Sequence, residues 1–132
     1  MSAPRVLIID DNPLNVTLAQ VVLSADGFEV ESAADAHQAM QQINAFRPVL
    51  ILMDIQLPGV DGLELTRQIK AEATTAHIVI VAFTAFAMRG DEEKMRTAGC
   101  DGYLSKPIEV GRFAAQIRSL LRSPAGGLPE ML

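Results

Sequence analysis

Four apolar runs in this chain end abruptly on a polar side chain. Arg5–Asp10 reads RVLIID, Val49–Asp54 reads VLILMD, Ile78–Thr84 reads IVIVAFT and Gly102–Lys106 reads GYLSK. Unbroken apolar runs of this length are how strands buried on both faces look. A fifth segment, Phe28–Ala33 (FEVESA), alternates apolar with polar residues and fits an edge strand. Helical patterns lie between the strands. Asn12 offers an N-cap and Pro13 suits the first helical position. Leu14, Leu18, Val21 and Val22 follow at helical spacing, and Gly27 can close that helix. Ala36, Ala39, Met40, Ile43 and Phe46 form the next stripe, stopped by Pro48. Leu63–Lys70 and Gly90–Thr97 read as helices, with a turn-rich loop LPGVDG (Leu57–Gly62) before the first of them. Val110, Phe113, Ile117, Leu120 and Leu121 mark the last helix.

Five strands alternating with five helices predict a parallel sheet covered by helices on both faces. Right-handed crossovers leave few topologies. With FEVESA at an edge, the expected architecture is a three-layer α/β sandwich of flavodoxin-like (βα)5 type, with strand order 2-1-3-4-5. One domain is expected over residues 1–122. Residues 123–132 (SPAGGLPEML) carry no periodic stripe and read as a flexible C-terminal tail.

In a parallel sheet all carboxyl ends lie on one rim, and ligands bind there near the switch point between neighbouring strands. Asp10–Asp11, Asp54, Thr84 and Lys106 would therefore converge although they are far apart in sequence. Two carboxylates about 4 Å apart repel by roughly 4 kcal/mol at an effective dielectric of about 20. Lys106 supplies one offsetting charge, and a hard divalent cation, which prefers oxygen ligands, supplies two more. Asp54 stands alone at the end of a central strand and suits a nucleophile that forms an acyl phosphate. The Asp10–Asp11 pair suits cation binding. Read singly, each acid is also compatible with a solvated strand end or a helix cap.

Composition narrows the setting. The chain has 132 residues, 49% of them hydrophobic and 20% charged, with a formal net charge of −5, so it has no basic footprint for nucleic acid. A single cysteine, Cys100, cannot form an internal disulfide, which fits a reducing cytoplasm. No apolar run approaches a membrane span and the N-terminus does not read as a signal peptide. No histidine or cysteine pattern suggests zinc. His37 and His77 read as surface or capping residues, and Cys100 as a small buried one.

The stretches VLIIDDNPLN, LILMDIQLPGVDGLEL, VAFTAFA and GYLSKPI together resemble the CheY-like receiver domains of response regulators, over roughly Pro4–Arg122. The wording MDIQLPGVDGLE, with TAFAMRGDEEKMRTAGCDGYLSKPI, is similar to single-domain cell-cycle regulators of the DivK type. The resemblance implies a phosphoacceptor of two-component or phosphorelay signalling rather than a turnover enzyme. By that resemblance Asp54 is the phosphorylated residue. Asp11, Asp54 and the backbone carbonyl of Gln56 hold Mg²⁺ (with Mn²⁺ as the alternative), and Asp10 acts mainly through a metal-bound water. Thr84 is the hydroxyl that moves toward the phosphoryl group, Lys106 its ammonium partner, Tyr103 the switching aromatic, and Pro107 follows a cis peptide bond. Gln56 and Phe86 would tune the lifetime of the acyl phosphate.

The implied partners are a histidine kinase or histidine phosphotransfer protein, which the helix beginning at Pro13 could dock through Asn15 and its neighbours. A downstream protein would bind through Gly90–Thr97, Gly102–Lys106 and the last helix. The same sequence is also compatible with a receiver module cut from a hybrid kinase. A metal-dependent aspartyl phosphatase would place a second acid two residues after its nucleophile, where this chain has Gln56. A flavin-binding protein of the same topology would need Gly, Ser or Thr donors after the first strand, where this chain has DDNPLN. A pseudo-receiver used only for contacts would not need the intact set of acids with Thr84 and Lys106.

Overall fold

A computed structural model describes residues 3–57, 59–85 and 91–122. Five parallel strands form its main sheet: β1 (Arg5–Ile9), β2 (Glu29–Ala33), β3 (Leu50–Asp54), β4 (Val79–Thr84) and β5 (Gly102–Ser105). Their spatial order is β2-β1-β3-β4-β5, as the alternating pattern predicts. The helices are α1 (Pro13–Ala25), α2 (Ala36–Phe46), α3 (Gly62–Ala71), α4 (Asp91–Ala98) and α5 (Phe113–Arg122). Every strand boundary falls within one residue of the sequence expectation.

Strand alternation divides the core into two layers. Leu7, Ile9, Ile51, Met53, Ile80 and Ala82 face one way and pack with residues of α2, α3 and α4. Val6, Ile8, Leu50, Leu52, Val81 and Phe83 face the other way and pack with α1 and α5. Each central strand is thus apolar on both sides, which is why its sequence shows no alternation. β2 is an edge strand, and only Ala33 of it is buried.

The inward face of α1 differs from the expected one. Ala19 and Leu23 are buried, with Val16 and Val22 packed beside them. Leu14, Leu18 and Val21 point outward, with exposures of 79%, 38% and 62%. The helix is apolar nearly all round, so spacing could not choose its buried side. Val110 is likewise 58% exposed and precedes α5. The amides of Arg112 and Phe113 both donate to the Glu109 carbonyl there, forming a turn that starts the helix later than its apolar stripe suggests.

The LPGVDG loop contains more order than a plain turn. Gln56–Leu57 pairs antiparallel with Val60–Asp61, and Pro58 lies outside the described residues. Asp61 caps α3 by accepting from the Leu63 amide at 2.9 Å. Gly62 then passes directly against the end of β3. A Cβ at this position would sit 2.4 Å from the Asp54 carbonyl oxygen and 2.8 Å from Ile55 Cα. Both are backbone atoms and cannot swing aside. Gly62→Ala is expected to destabilise the fold by about 1–3 kcal/mol, the usual cost of overpacking. A thermal melt checks this, and an unchanged midpoint would contradict the close approach.

At the opposite, amino rim, Lys70 near the end of α3 ties three segments. Its ammonium donates to the carbonyls of Ala76 (3.2 Å) and Ile78 (2.7 Å) and to Asp101 Oδ2 (2.8 Å). The same Asp101 oxygen accepts from the Ile80 amide at 2.9 Å. Next to it, burial pushes the Cys100 thiol up to about 11, so at neutral pH it is an inert packing group.

Candidate phosphoacceptor and metal site

The carboxyl ends of β1, β3, β4 and β5 share one rim, and the chain reverses its direction of travel across the sheet between β1 and β3. Asp10 follows β1 and Asp54 ends β3, so the two carboxyls face each other across that switch point. Both are buried, with exposures of 2% and 4%. Asp11, one residue along the turn, is exposed but reaches the same place: one carboxylate oxygen from each of Asp10, Asp11 and Asp54 lies within 4.8 Å of the others.

The local chain holds these acids in position. The Asn12 amide donates to Asp10 Oδ1 at 2.9 Å. Asn12 also caps α1, its side-chain oxygen accepting from the Leu14 amide at 2.9 Å, with Pro13 in the first turn. One turn later the side-chain Nδ2 of Asn15 donates to Asp10 Oδ2 at 3.5 Å. The Gln56 amide donates to Asp54 Oδ1 at 2.9 Å. One oxygen of each buried carboxylate is thus fixed by backbone, which leaves the other to face the crevice.

Lys106 enters from β5. Its ammonium lies 3.2 Å from Asp10 Oδ2 and 3.4 Å from Asp54 Oδ2, and 5.1 Å from the centre of the Phe83 ring. That ring, packed against Phe113 at 6.3 Å, gives the lysine stem an apolar wall and the charge a π face. The Lys106 amide donates to the Thr84 carbonyl at 2.8 Å, and the Lys106–Pro107 peptide bond is cis. Thr84 ends β4, one residue past Phe83, the register partner of Asp54, and is 5% exposed. It also lines a cleft of about 300 Å³ with Gln56, Asp61, Asp91 and Lys94.

Burial raises the Asp54 carboxyl above its ordinary value of 3.8. The Gln56 amide opposes that rise, the Asp10 charge adds to it, and Lys106 opposes it. Three carboxylates against one ammonium leave two negative charges unmatched at neutral pH. Every donor in the cluster is a hard oxygen, the donor set a divalent alkaline-earth cation prefers. The residues therefore fit Mg²⁺.

Tyr103, in β5, is half-buried against the α2–α4 layer. Burial raises its phenol first, and the Glu92 carboxylate next to it adds to the rise. Phe86 and Gly90 lie outside the described residues. His37, in the first turn of α2, and His77, just before β4, are both exposed.

Two supports of the site escaped the sequence reading. Asn15 was legible only as a possible docking residue, yet its side-chain amide reaches Asp10. Phe83 read as plain core, yet it backs Lys106. A single polar residue one turn into a helix whose cap holds Asp10 was the available signal for Asn15.

Comparison with known proteins settles the family. Residues 6–118 match the model of the response regulator receiver domain. This chain belongs to that family. The polar-differentiation response regulator DivK of Brucella anthropi is 47% identical over 116 residues, covering 88% of this chain and 94% of DivK. The chemotaxis response regulator CheY4 of Vibrio cholerae shares the fold with a TM-score of 0.84 at 22% identity, covering 90% of this chain and 99% of that one. The receiver domain of a sensor histidine kinase from Pseudomonas aeruginosa is 34% identical with a TM-score of 0.78. That match covers 96% of this chain and all of the other, which holds a magnesium ion in its active-site cleft. The chain is thus a CheY-like receiver domain of two-component signalling, a class that works with histidine kinases and downstream partners. Among the described residues no helix is long and apolar enough to cross a membrane.

Proposed function

We propose that this receiver domain accepts a phosphoryl group on Asp54 and uses it to change what it binds. The observation that carries this reading is the ammonium of Lys106 set between two buried carboxylates at 3.2 and 3.4 Å, with Asp11 beside them. Asp10, Asp11, Asp54 and the Gln56 carbonyl are the groups that would hold Mg²⁺, or Mn²⁺ in its place. When bound, the cation supplies positive charge against the charge that develops on the phosphoryl oxygens.

The remaining chemistry belongs to the chain. The Asp54 oxygen not held by Gln56 attacks phosphorus in line. The bond from phosphorus to the donor nitrogen breaks, and its electron pair stays on the donor imidazole. Lys106 sits where a phosphoryl oxygen would need a partner. The Thr84 hydroxyl, one strand over, is the group to close on a second oxygen, and the space it leaves admits Tyr103. One phosphoryl group per chain is expected, without turnover of external esters, because Gln56 occupies the place of a second acid.

The test is mass spectrometry after treatment with a small phosphodonor. The wild type with Mg²⁺ should gain the mass of one phosphoryl group, and a chelator should suppress that gain. Equal gain in Asp54→Asn would remove Asp54 as the acceptor. The switch has its own measurement: Thr84→Ala should still be phosphorylated but show the same partner affinity in both states. Undiminished coupling in that variant would remove Thr84.

The phosphodonor is a histidine kinase or a histidine phosphotransfer protein, and the outward stripe Leu14, Leu18 and Val21 on α1 gives it an apolar landing next to Asp10 and Asp54. Leu14→Glu is expected to slow transfer from a phosphohistidine protein at least about tenfold, the scale of an interface anchor. Uptake from a small phosphodonor should not change, and parallel loss with both donors would argue against docking. Downstream partners would read α4, β5 and α5. The match over 94% of DivK supports a DivK-like regulator, and the same chemistry would serve a receiver module of a larger kinase, as in the P. aeruginosa neighbour.

A further inference from the structure

The amino rim of the sheet holds a second cavity, of about 480 Å³. It lies between the last turn of α2, the entry to β3 and the loop that leads into β4. That places it at the end of the strands opposite Asp54. The volume falls within the range of small-molecule sites, about 300–1,000 Å³.

Its lining is chemically two-sided. Ile43, Pro48, Val49 and Ile78 give it an apolar wall. Asn44, Arg47, Thr74 and His77 bring an amide, a guanidinium, a hydroxyl and an imidazole. Among the described residues no carboxylate lines it, in a chain whose net charge is −5. Among the described residues Arg47 has no carboxylate within ion-pair distance. The carbonyl end of α2 points toward this region and is itself negative, so the positive character comes from side chains.

A second observation concerns the backbone. Arg47 ends α2 at φ 55, and it is the one non-glycine with positive φ among the described residues. Glycine is the default there, because an arginine pays for this conformation in Cβ crowding. The αL cap closes the helix through the Arg47 amide on the Ile43 carbonyl, which glycine would do as well, and the arginine charge there also meets the negative end of α2. What arginine adds over glycine is a cation on a residue that lines the cavity.

We propose that this cavity is a binding site for a small organic anion, with its apolar body against Ile43, Pro48, Val49 and Ile78 and its carboxylate or phosphate-type head on Arg47 and His77. The site is separate from the phosphoacceptor cluster and does not depend on the function assigned to it.

The test is an NMR titration of the full chain, without added metal, using benzoate and phenylphosphonate, with benzyl alcohol as the uncharged control. Saturating amide shifts are expected at residues 43–47, 49 and 74–78 in the millimolar range, up to about 10 mM. Asp10 and Asp54 should not respond. Arg47→Gly should weaken the anion at least about tenfold, since a charge-assisted contact is lost. Its melting temperature should hold or rise, because glycine accepts that φ without crowding. Arg47→Lys, which keeps a cation but not the fork, should fall between. Absence of saturating shifts, equal binding of benzyl alcohol, or undiminished affinity in a folded Arg47→Gly protein would each overturn the proposal.

Discussion

Asp54→Asn is expected to abolish phosphoryl uptake and, in the metal-free protein, to make the fold more stable. The first effect is large: removing a nucleophile lowers a rate on the order of 10³-fold or more. Mass spectrometry after phosphodonor treatment reads it directly. The second effect follows from the electrostatics of the rim. Asparagine keeps the shape and can still accept the Gln56 amide, so the 2.9 Å contact survives. It removes one of three clustered carboxylates that a single ammonium cannot balance. The Asp54 carboxyl is raised in the folded protein, chiefly by burial, with a further push from Asp10. A raised acid binds its proton more tightly folded than unfolded, so stability is lost as pH climbs above the ordinary value of 3.8 and levels off beyond the folded value. Asparagine escapes that loss. A gain of about 1 kcal/mol near neutral pH is expected, vanishing below the carboxylate range. Denaturant melts at two pH values measure it, and equal stability of the two proteins at neutral pH would contradict the account.

Lys106→Met should act in the opposite direction on stability and the same direction on chemistry. Its ammonium is the cation that touches both Asp10 and Asp54. Methionine keeps the stem against Phe83 but leaves two buried carboxylates facing each other. Breaking a fully buried pair costs about 3–5 kcal/mol. Lys106 retains 16% exposure of its side chain, so about 1–3 kcal/mol is expected here. Losing Lys106 removes a lowering influence on Asp54, so the penalty should be greatest at neutral pH and shrink as acid protonates the carboxyls. Added Mg²⁺ should restore part of the stability by replacing the missing charge, but not the rate of phosphoryl uptake, which needs a donor on the Lys106 side. A pH-independent loss of stability would show that packing, not charge, dominates at this position.

The sequence made the sheet legible because β1, β3 and β4 are buried on both sides and leave unbroken apolar runs. The same logic exposed the site: a polar residue ending such a run has nowhere to go but the rim. Asp10, Asp54, Thr84 and Lys106 could therefore be read without coordinates. Spacing failed on α1, where valines and leucines on every side left Leu14, Leu18 and Val21 indistinguishable from core. It also failed on Gly62, which looked like an ordinary turn residue. Its constraint is a long-range one, the backbone of Asp54 and Ile55 lying where a side chain would go, and no local pattern encodes such a contact.

The Lys70 network at the far rim has a mechanical consequence. One ammonium fastens the entry of β4, the loop before it and the segment leading into β5 to the end of α3. A slip of β4 against β5 would break the contacts of Asp101 to the Lys70 ammonium and to the Ile80 amide. A pull on Thr84 is instead carried straight into β5, because Thr84 pairs with Ser105 and its carbonyl accepts from the Lys106 amide.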